Sequence, residues 1–522
     1  MLTNELGDLP ASRVAPASPA PEKPDGTRCP RPLKKAPTLM PTEELDTTEA
    51  LPTRAAHAGS LKKGTIGVFG AAVMAIALIT PLTTLSSNMA ESLILGVGPA
   101  TVVVTLLVTL LLTFFAAGYS ALGRVVVDSG AYAAYAAYGL GHKVGSAVGV
   151  AAVLGYNLAT VAFIGIGGYF LDNTIKPHGL DLPWWIYSLA ILALVAVLGV
   201  LGVNIASRFN TIICGLQFVM LAIFFLAVLF KSPSNFKLDV FSFSGVSGGA
   251  FGLTVVFVLL ALAGFESSSA YGEEVRDPHR TIPRATYVTL LLLSGIFVVG
   301  TWVVVAASHG DPRAVAGGDP GDLVPALFGS YLGEWTSTAT NFIIAVTIIG
   351  AALAFHNLST RYMYSSSRSG ILFSALSRTH PRYKTPHVAV MAQVLITLVF
   401  LLPFVLTGSS PMTDLLPAIA GYNALNMITK MGSTSASTIV ATSKGKLTGS
   451  KYSTIYAPLL AIVGFIATGV LIVLHYKEIT GTEALWVNAM PLMIVACALF
   501  GALKQWQIDR DVFAQRRVVE SP

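Results

Sequence analysis

The 522-residue chain is 53% hydrophobic and only 11% charged, with a formal net charge of +6 at pH 7. A soluble globular protein carries roughly 25% charged residues; a chain this apolar cannot cover itself with polar surface, and the bilayer is the solvent that removes the problem. The basic residues fall between apolar runs rather than in a stripe, which argues against nucleic acid, and Cys29, Cys214 and Cys497 form neither a disulfide framework nor a CxxC metal site.

In chain order, residues 1–60 come first, interrupted by prolines from Pro10 to Pro41 with few large apolar side chains between them. Such a segment cannot offset its ordering entropy and is expected to be a disordered cytoplasmic tail; it lacks the apolar stretch of a signal peptide. After Lys62 and Lys63 the apolar runs predict about twelve transmembrane helices. They fall near 66–95, 99–123, 144–171, 184–203, 209–230, 250–272, 285–307, 336–360, 387–407, 413–441, 455–475 and 484–503. Most reach the roughly 20 residues that cross about 30 Å of hydrocarbon. Residues 506–522 form a second tail. With both termini inside, the cytoplasmic segments hold Arg124, Lys143, Arg208, Arg276, Arg280, Arg284, Arg361, Arg378, Arg382 and Lys444, among others. The outer loops keep only Lys176, Lys231, Lys237, Arg313 and Lys477, so the asymmetry favours termini in the cytoplasm.

Two runs carry helix-breaking chemistry inside a span. The first is Ile79-Thr80-Pro81-Leu82-Thr83, where Pro81 removes a backbone donor. The second is Ala263-Gly264-Phe265-Glu266, where Gly264 loosens the backbone beside an ionisable group in hydrocarbon. These are the first and sixth spans, and interrupted helices at corresponding places in two halves point to a transporter site. The free N–H groups and dipole of each half-helix suit a carboxylate, and the freed carbonyls suit an ammonium or a cation. An amino acid presents both charges on one carbon. A tolerated proline kink and a close-packed glycine are the bland alternatives.

The stretch Gly264-Phe265-Glu266, followed by Gly272-Glu273-Glu274-Val275-Arg276-Asp277-Pro278-His279-Arg280-Thr281-Ile282-Pro283-Arg284-Ala285, closely resembles the sixth-helix signature of the amino acid–polyamine–organocation permeases. Further similarity lies in Gly130-Ala131-Tyr132, in Gly139-Leu140-Gly141, and in Ala354-Phe355-His356-Asn357 through Arg361-Tyr362. Ser377-Arg378-Thr379-His380-Pro381-Arg382 looks like actinobacterial permeases of this family. The resemblance implies an all-α integral membrane protein with a five-plus-five inverted-repeat transporter fold. The transporter domain would be 61–505, with 66–230 as first repeat, 250–441 as inverted second repeat, and 455–503 as two extra C-terminal helices. It also implies alternating access, substrate held between helices one and six, and proton-coupled or exchange transport rather than sodium transport. The sequence departs from the usual pattern in helix one, where fewer glycines give a bulkier floor, and in helix ten, where Asn423, Asn426 and Lys430 replace more apolar residues.

The candidate substrate-binding residues are Thr80, Pro81, Leu82, Thr83, Asn157, Gly264 and Phe265; Glu266 and Lys430 are candidates for coupling or gating. Gly155-Tyr156-Asn157-Leu158 resembles the third helix of the arginine/agmatine exchanger branch, where the matching asparagine faces substrate; the plain alternative is an interhelical hydrogen bond. Glu266 is read either as a proton-coupling group or as a partner for freed backbone donors. Lys430 must snorkel, pair or lose its proton; held deep, its amine would fill the space a sodium ion takes in sodium-coupled relatives of the fold. His356 is a relay or a polar cap, and Glu91 is expected to be exposed at the outer end of helix one.

No HExxH, P-loop or nucleophile elbow is present, so neither an enzyme nor a metal or other cofactor is called for. The reading is secondary transport of amino acids, neutral ones fitting best, across the cytoplasmic membrane. The partners would be a small amino acid, protons and the lipid bilayer, with no nucleic acid. The alternatives are a polyamine or organic-amine permease, and a non-transporting membrane sensor of the same fold.

Overall fold

The computed structural model describes residues 68, 72, 76, 79–126, 131–201, 205–243, 246, 248–267 and 277–520. The expected tail 1–60 and motif residues 272–276 lie outside the described residues. The helices are α1 (Pro81–Thr84), α2 (Ala90–Ile94), α3 (Thr101–Leu122), α4 (Ala131–Leu140), α5 (His142–Ile175), α6 (Trp184–Leu201), α7 (Ile205–Lys231), α8 (Gly248–Leu262) and α9 (Pro278–Ala307). They continue as α10 (Pro312–Ala316), α11 (Pro320–Leu332), α12 (Trp335–Arg368), α13 (His387–Leu406), α14 (Leu416–Ser443), α15 (Ala457–Leu474), α16 (Tyr476–Thr480), α17 (Leu485–Asn488) and α18 (Met490–Glu520). No strand is assigned among the described residues.

Among those residues, ten helices are long and apolar enough to cross a membrane. The two expected spans outside that set have clear physical reasons. The first is broken, and its opening half is described only at scattered positions. The other, α14, has 28 residues but spends many of them on Asn, Thr, Ser and Lys. Those polar side chains are tolerated because the helix is buried: Asn426, Lys430, Thr434, Ser435, Ser437 and Thr438 are all less than a tenth exposed. Lipid-facing helices show the converse, since only 28% of the apolar window of the α15 span is buried against 72% of that of α5.

The packing has the pairing an inverted repeat predicts. Helix α5 packs along α12, the third and eighth spans, and both have 34 residues. The second and seventh spans, α3 and α9, pack together, as do the fourth and ninth, α6 and α13. Two differences from the expected boundaries have simple causes. Helix α9 begins at Pro278 rather than near 285, because Pro278 stands at the helix start, where its missing N–H costs nothing. Helix α18 runs on through the expected tail to Glu520.

Three further elements interrupt the expected loops. Helix α4 lies within the segment expected to join spans two and three, and buries Tyr132 and Tyr135 against α14 and α5. Helices α10 and α11 form a hairpin whose starts are set by Asp311 and Asp319, each accepting a backbone N–H at a helix N-terminus. Arg313 on α10 donates to the carbonyls of Ile94 (2.8 Å) and Gly96 (3.0 Å), and so caps the C-terminal end of α2.

Candidate functional site

The first break is built from a strained residue and a proline. Thr80 is left-handed (φ 51°, ψ 77°), a conformation a β-branched residue rarely adopts, and Pro81 opens α1. The backbone groups freed there are answered locally. The Thr84 hydroxyl donates to the carbonyl of Ile79 (2.6 Å), and the Leu82 N–H donates to Oε1 of Gln217 on α7 (3.0 Å). Gln217 is fully buried and passes its own amide hydrogen to the hydroxyl of Thr347 on α12 (2.9 Å). The half of the helix after the break then contains a π-turn over Leu85–Met89.

The second break uses the other device. Gly264 has φ 100°, open only to glycine, and a Cβ there would lie 3.2 Å from Cγ1 of Ile79. The two breaks therefore touch. The Gly264 N–H donates to Oε2 of Glu266 (3.0 Å), so Glu266 folds back over the break it follows. Its own N–H also supports that carboxylate, and the Ser267 N–H returns to the Gly264 carbonyl (2.9 Å).

A cavity of about 200 Å³ opens where the breaks meet. Thr83, Gly264 and Glu266 line it from the broken helices, Tyr119 and Tyr132 from α3 and α4, Tyr156 and Phe163 from α5, Phe355 and Tyr362 from α12, and Asn423 and Lys430 from α14. Lys430 is 7% exposed, and α14 continues beyond it to Ser443. Its ammonium sits 4.6 Å from the ring centre of Tyr156 and 5.6 Å from that of Tyr132. It therefore points into the cavity and does not snorkel. Lys430 and Glu266 act on one another electrostatically. Phe163 and Phe355 stack at 4.9 Å and make the apolar part of the wall.

Among the described residues the site is thus a cavity at the junction of two interrupted helices, inside a bundle with ten helices able to cross a membrane. The profile of the Amino acid permease family matches residues 66–503. The chain belongs to that family. It is thus a multi-pass membrane protein. Similar curated proteins include the low-affinity putrescine importer PlaP of Escherichia coli (24% identical over 52% of this chain and 60% of that protein). Two from Bacillus subtilis are the branched-chain amino acid permease BcaP (24%, over 56% of this chain and 65% of BcaP) and an aspartate-proton symporter (24%, over 55% and 57%). The match thus spans less than two thirds of the length of each of these relatives.

Within this permease-family fold, the sequence-predicted residues divide. Thr83, Gly264, Glu266 and Lys430 come together at the cavity. Thr80 is buried at the break, and the Leu82 backbone is tied to Gln217, so the N–H expected to be free there is taken. Pro81 has none to offer. Phe265 points away, its ring edge-on to Phe115 at 6.1 Å. Asn157 donates to the Val153 carbonyl of its own helix (2.7 Å), while its neighbour Tyr156 lines the cavity. Asn426 clasps α5 through the Ala151 carbonyl (2.7 Å).

One other expectation changes, and His356 takes the polar-cap role. Glu91, expected at the surface, is fully buried, and neither carboxylate oxygen has a hydrogen-bond partner among the described residues. His356 pairs through Nδ1 with Gln393 (2.6 Å), and its Nε2 would meet a Cβ at Gly199 at 2.5 Å. It locks α12 to α13 and fills the notch glycine leaves in α6. The residue sequence reasoning missed is Gln217. Its signal was visible as a lone amide inside the apolar run Cys214-Gly215-Leu216-Gln217-Phe218-Val219.

Proposed function

We propose that this chain carries neutral amino acids across the cytoplasmic membrane by alternating access, coupled to protons or by exchange, with both termini in the cytoplasm. The observation that carries the reading is the contact between the two breaks, Gly264 against Ile79, at the edge of one cavity. Interrupted helices supply hinges and polar backbone only where a path for a polar solute needs them. Family membership and the amino-acid carriers among the relatives support the solute class. The Lys and Arg bias of the loops supports the orientation. Glu266, beside the solute path and tied to the break, serves as the coupling or gating group. Thr83 and Gly264 serve in the substrate wall.

A second reading has its own support. The cavity contains a carboxylate and four tyrosine rings, which suit an organic amine, and one relative is a putrescine importer. Purified protein in proteoliposomes separates the two. Neutral amino acids are expected to displace a labelled amino acid, while their decarboxylated amines fail, and an imposed pH gradient is expected to change uptake. Equal competition by amines gives the site to polyamines. Binding without exchange across the vesicle wall makes the chain a sensor.

A further inference from the structure

Several of the donors that a broken helix ordinarily offers an anion are already used in this protein. Pro81 has none, the Leu82 N–H is held by Gln217, and the Gly264 N–H and that of Glu266 are held by the Glu266 carboxylate. The cation in the same cavity is Lys430. It is 7% exposed, and among the described residues no carboxylate lies within ion-pair distance of it, although Glu266 across the cavity acts on it electrostatically. The faces of Tyr156 and Tyr132 hold it in place but replace only part of the hydration an ammonium loses on burial. A site so arranged favours an anionic group that arrives with the solute. Below Tyr156, helix α5 turns Ala159, Phe163 and Ile166 to the same cavity at helical spacing, and Phe355 faces them from α12.

We infer that Lys430 is the carboxylate anchor of the transported amino acid and that the stripe Ala159–Phe163–Ile166 receives its side chain, which selects bulky apolar amino acids. This rests on the amino-acid transport reading given above. The zwitterion lies with its carboxylate on Lys430 and its ammonium on the Glu266 side.

Three probes test it on the full chain in proteoliposomes: leucine, leucinamide (the same side chain with no carboxylate) and glycine (no side chain). In the unaltered protein leucine is expected to outcompete both. In Lys430→Met the KM for leucine is expected to rise about 10- to 100-fold, the worth of a charged hydrogen bond. Competition by leucinamide should stay as it was, so the discrimination collapses. Lys430→Arg keeps the charge and is expected to recover part of it. If Lys430→Met carries leucine with an unchanged KM and still rejects leucinamide, the anchor is overturned and the transport reading survives. If Lys430→Met does not fold, as judged by melting in detergent, the ratio is read in Lys430→Gln, which also removes the charge, and an unchanged ratio there overturns the anchor. Glycine competing as well as leucine overturns the apolar stripe. Unaltered protein that takes up no amino acid overturns the transport reading itself.

Discussion

The two breaks solve one problem in opposite ways. At Thr80 and Pro81 a strained residue and a missing donor open the helix, and the exposed backbone is braced from outside, by Gln217 on α7 and through it Thr347 on α12. At Gly264 the backbone bends into a region open to glycine, and the brace is the helix's own Glu266. A brace from the scaffold ties a break to that scaffold. A brace from within travels with it. The first break is therefore held through its backbone by α7, and the second chiefly by Glu266, whose carbonyl also accepts from the Tyr119 hydroxyl on α3 at 3.3 Å.

The strongest way to break this comparison is Gly264→Val. It combines a forbidden φ with a side chain driven at Ile79, and is expected to cost about 3 kcal/mol and to abolish uptake. Melting in detergent beside an uptake assay checks both. Gln217→Leu removes the outside brace, leaving the Leu82 N–H without an acceptor. It is expected to cost about 2 kcal/mol and to lower uptake in proportion. A Gln217→Leu protein with unchanged melting would mean that the break does not depend on α7. Glu266→Gln keeps one acceptor oxygen, so it is expected to cost only about 1 kcal/mol. Substrate binding survives and the response of uptake to an imposed pH gradient is lost; a persisting response moves coupling elsewhere. The smallest effect sharpens the contrast from the other side. Thr80→Gly relieves the left-handed threonine but loosens the unfolded chain, and the two nearly cancel, leaving stability within about 1 kcal/mol.

Both breaks were legible in the sequence because proline and glycine announce themselves; the burial of Lys430 was not, because its distance along helix ten favoured snorkelling to the surface and only the packed bundle turns it into the cavity. Most spans were legible too, because length and apolarity are properties of single segments. What faces what was not. Helix α5 is buried on most of its circumference, so it has no polar face to orient it. Tyr156 and Asn157 are one residue apart and about 100° apart around the helix, and nothing local says which meets the cavity. Helix α4 was missed because its ten residues, rich in alanine and tyrosine, are too short for a span and too apolar for a loop. The brace on Leu82 depends on a residue 135 positions away, a pairing that only the packed bundle fixes.

The clamp of Arg313 on Ile94 and Gly96 has an experimental use. It fastens the α10–α11 hairpin to the last turn of the first helix through two donors on one rigid guanidinium. A reporter dye at Val315, 36% exposed on that hairpin, would share any displacement of the half of helix one after the break. On the transport reading, its fluorescence would then follow movement of that half-helix in real time, from a position outside the lining of the cavity.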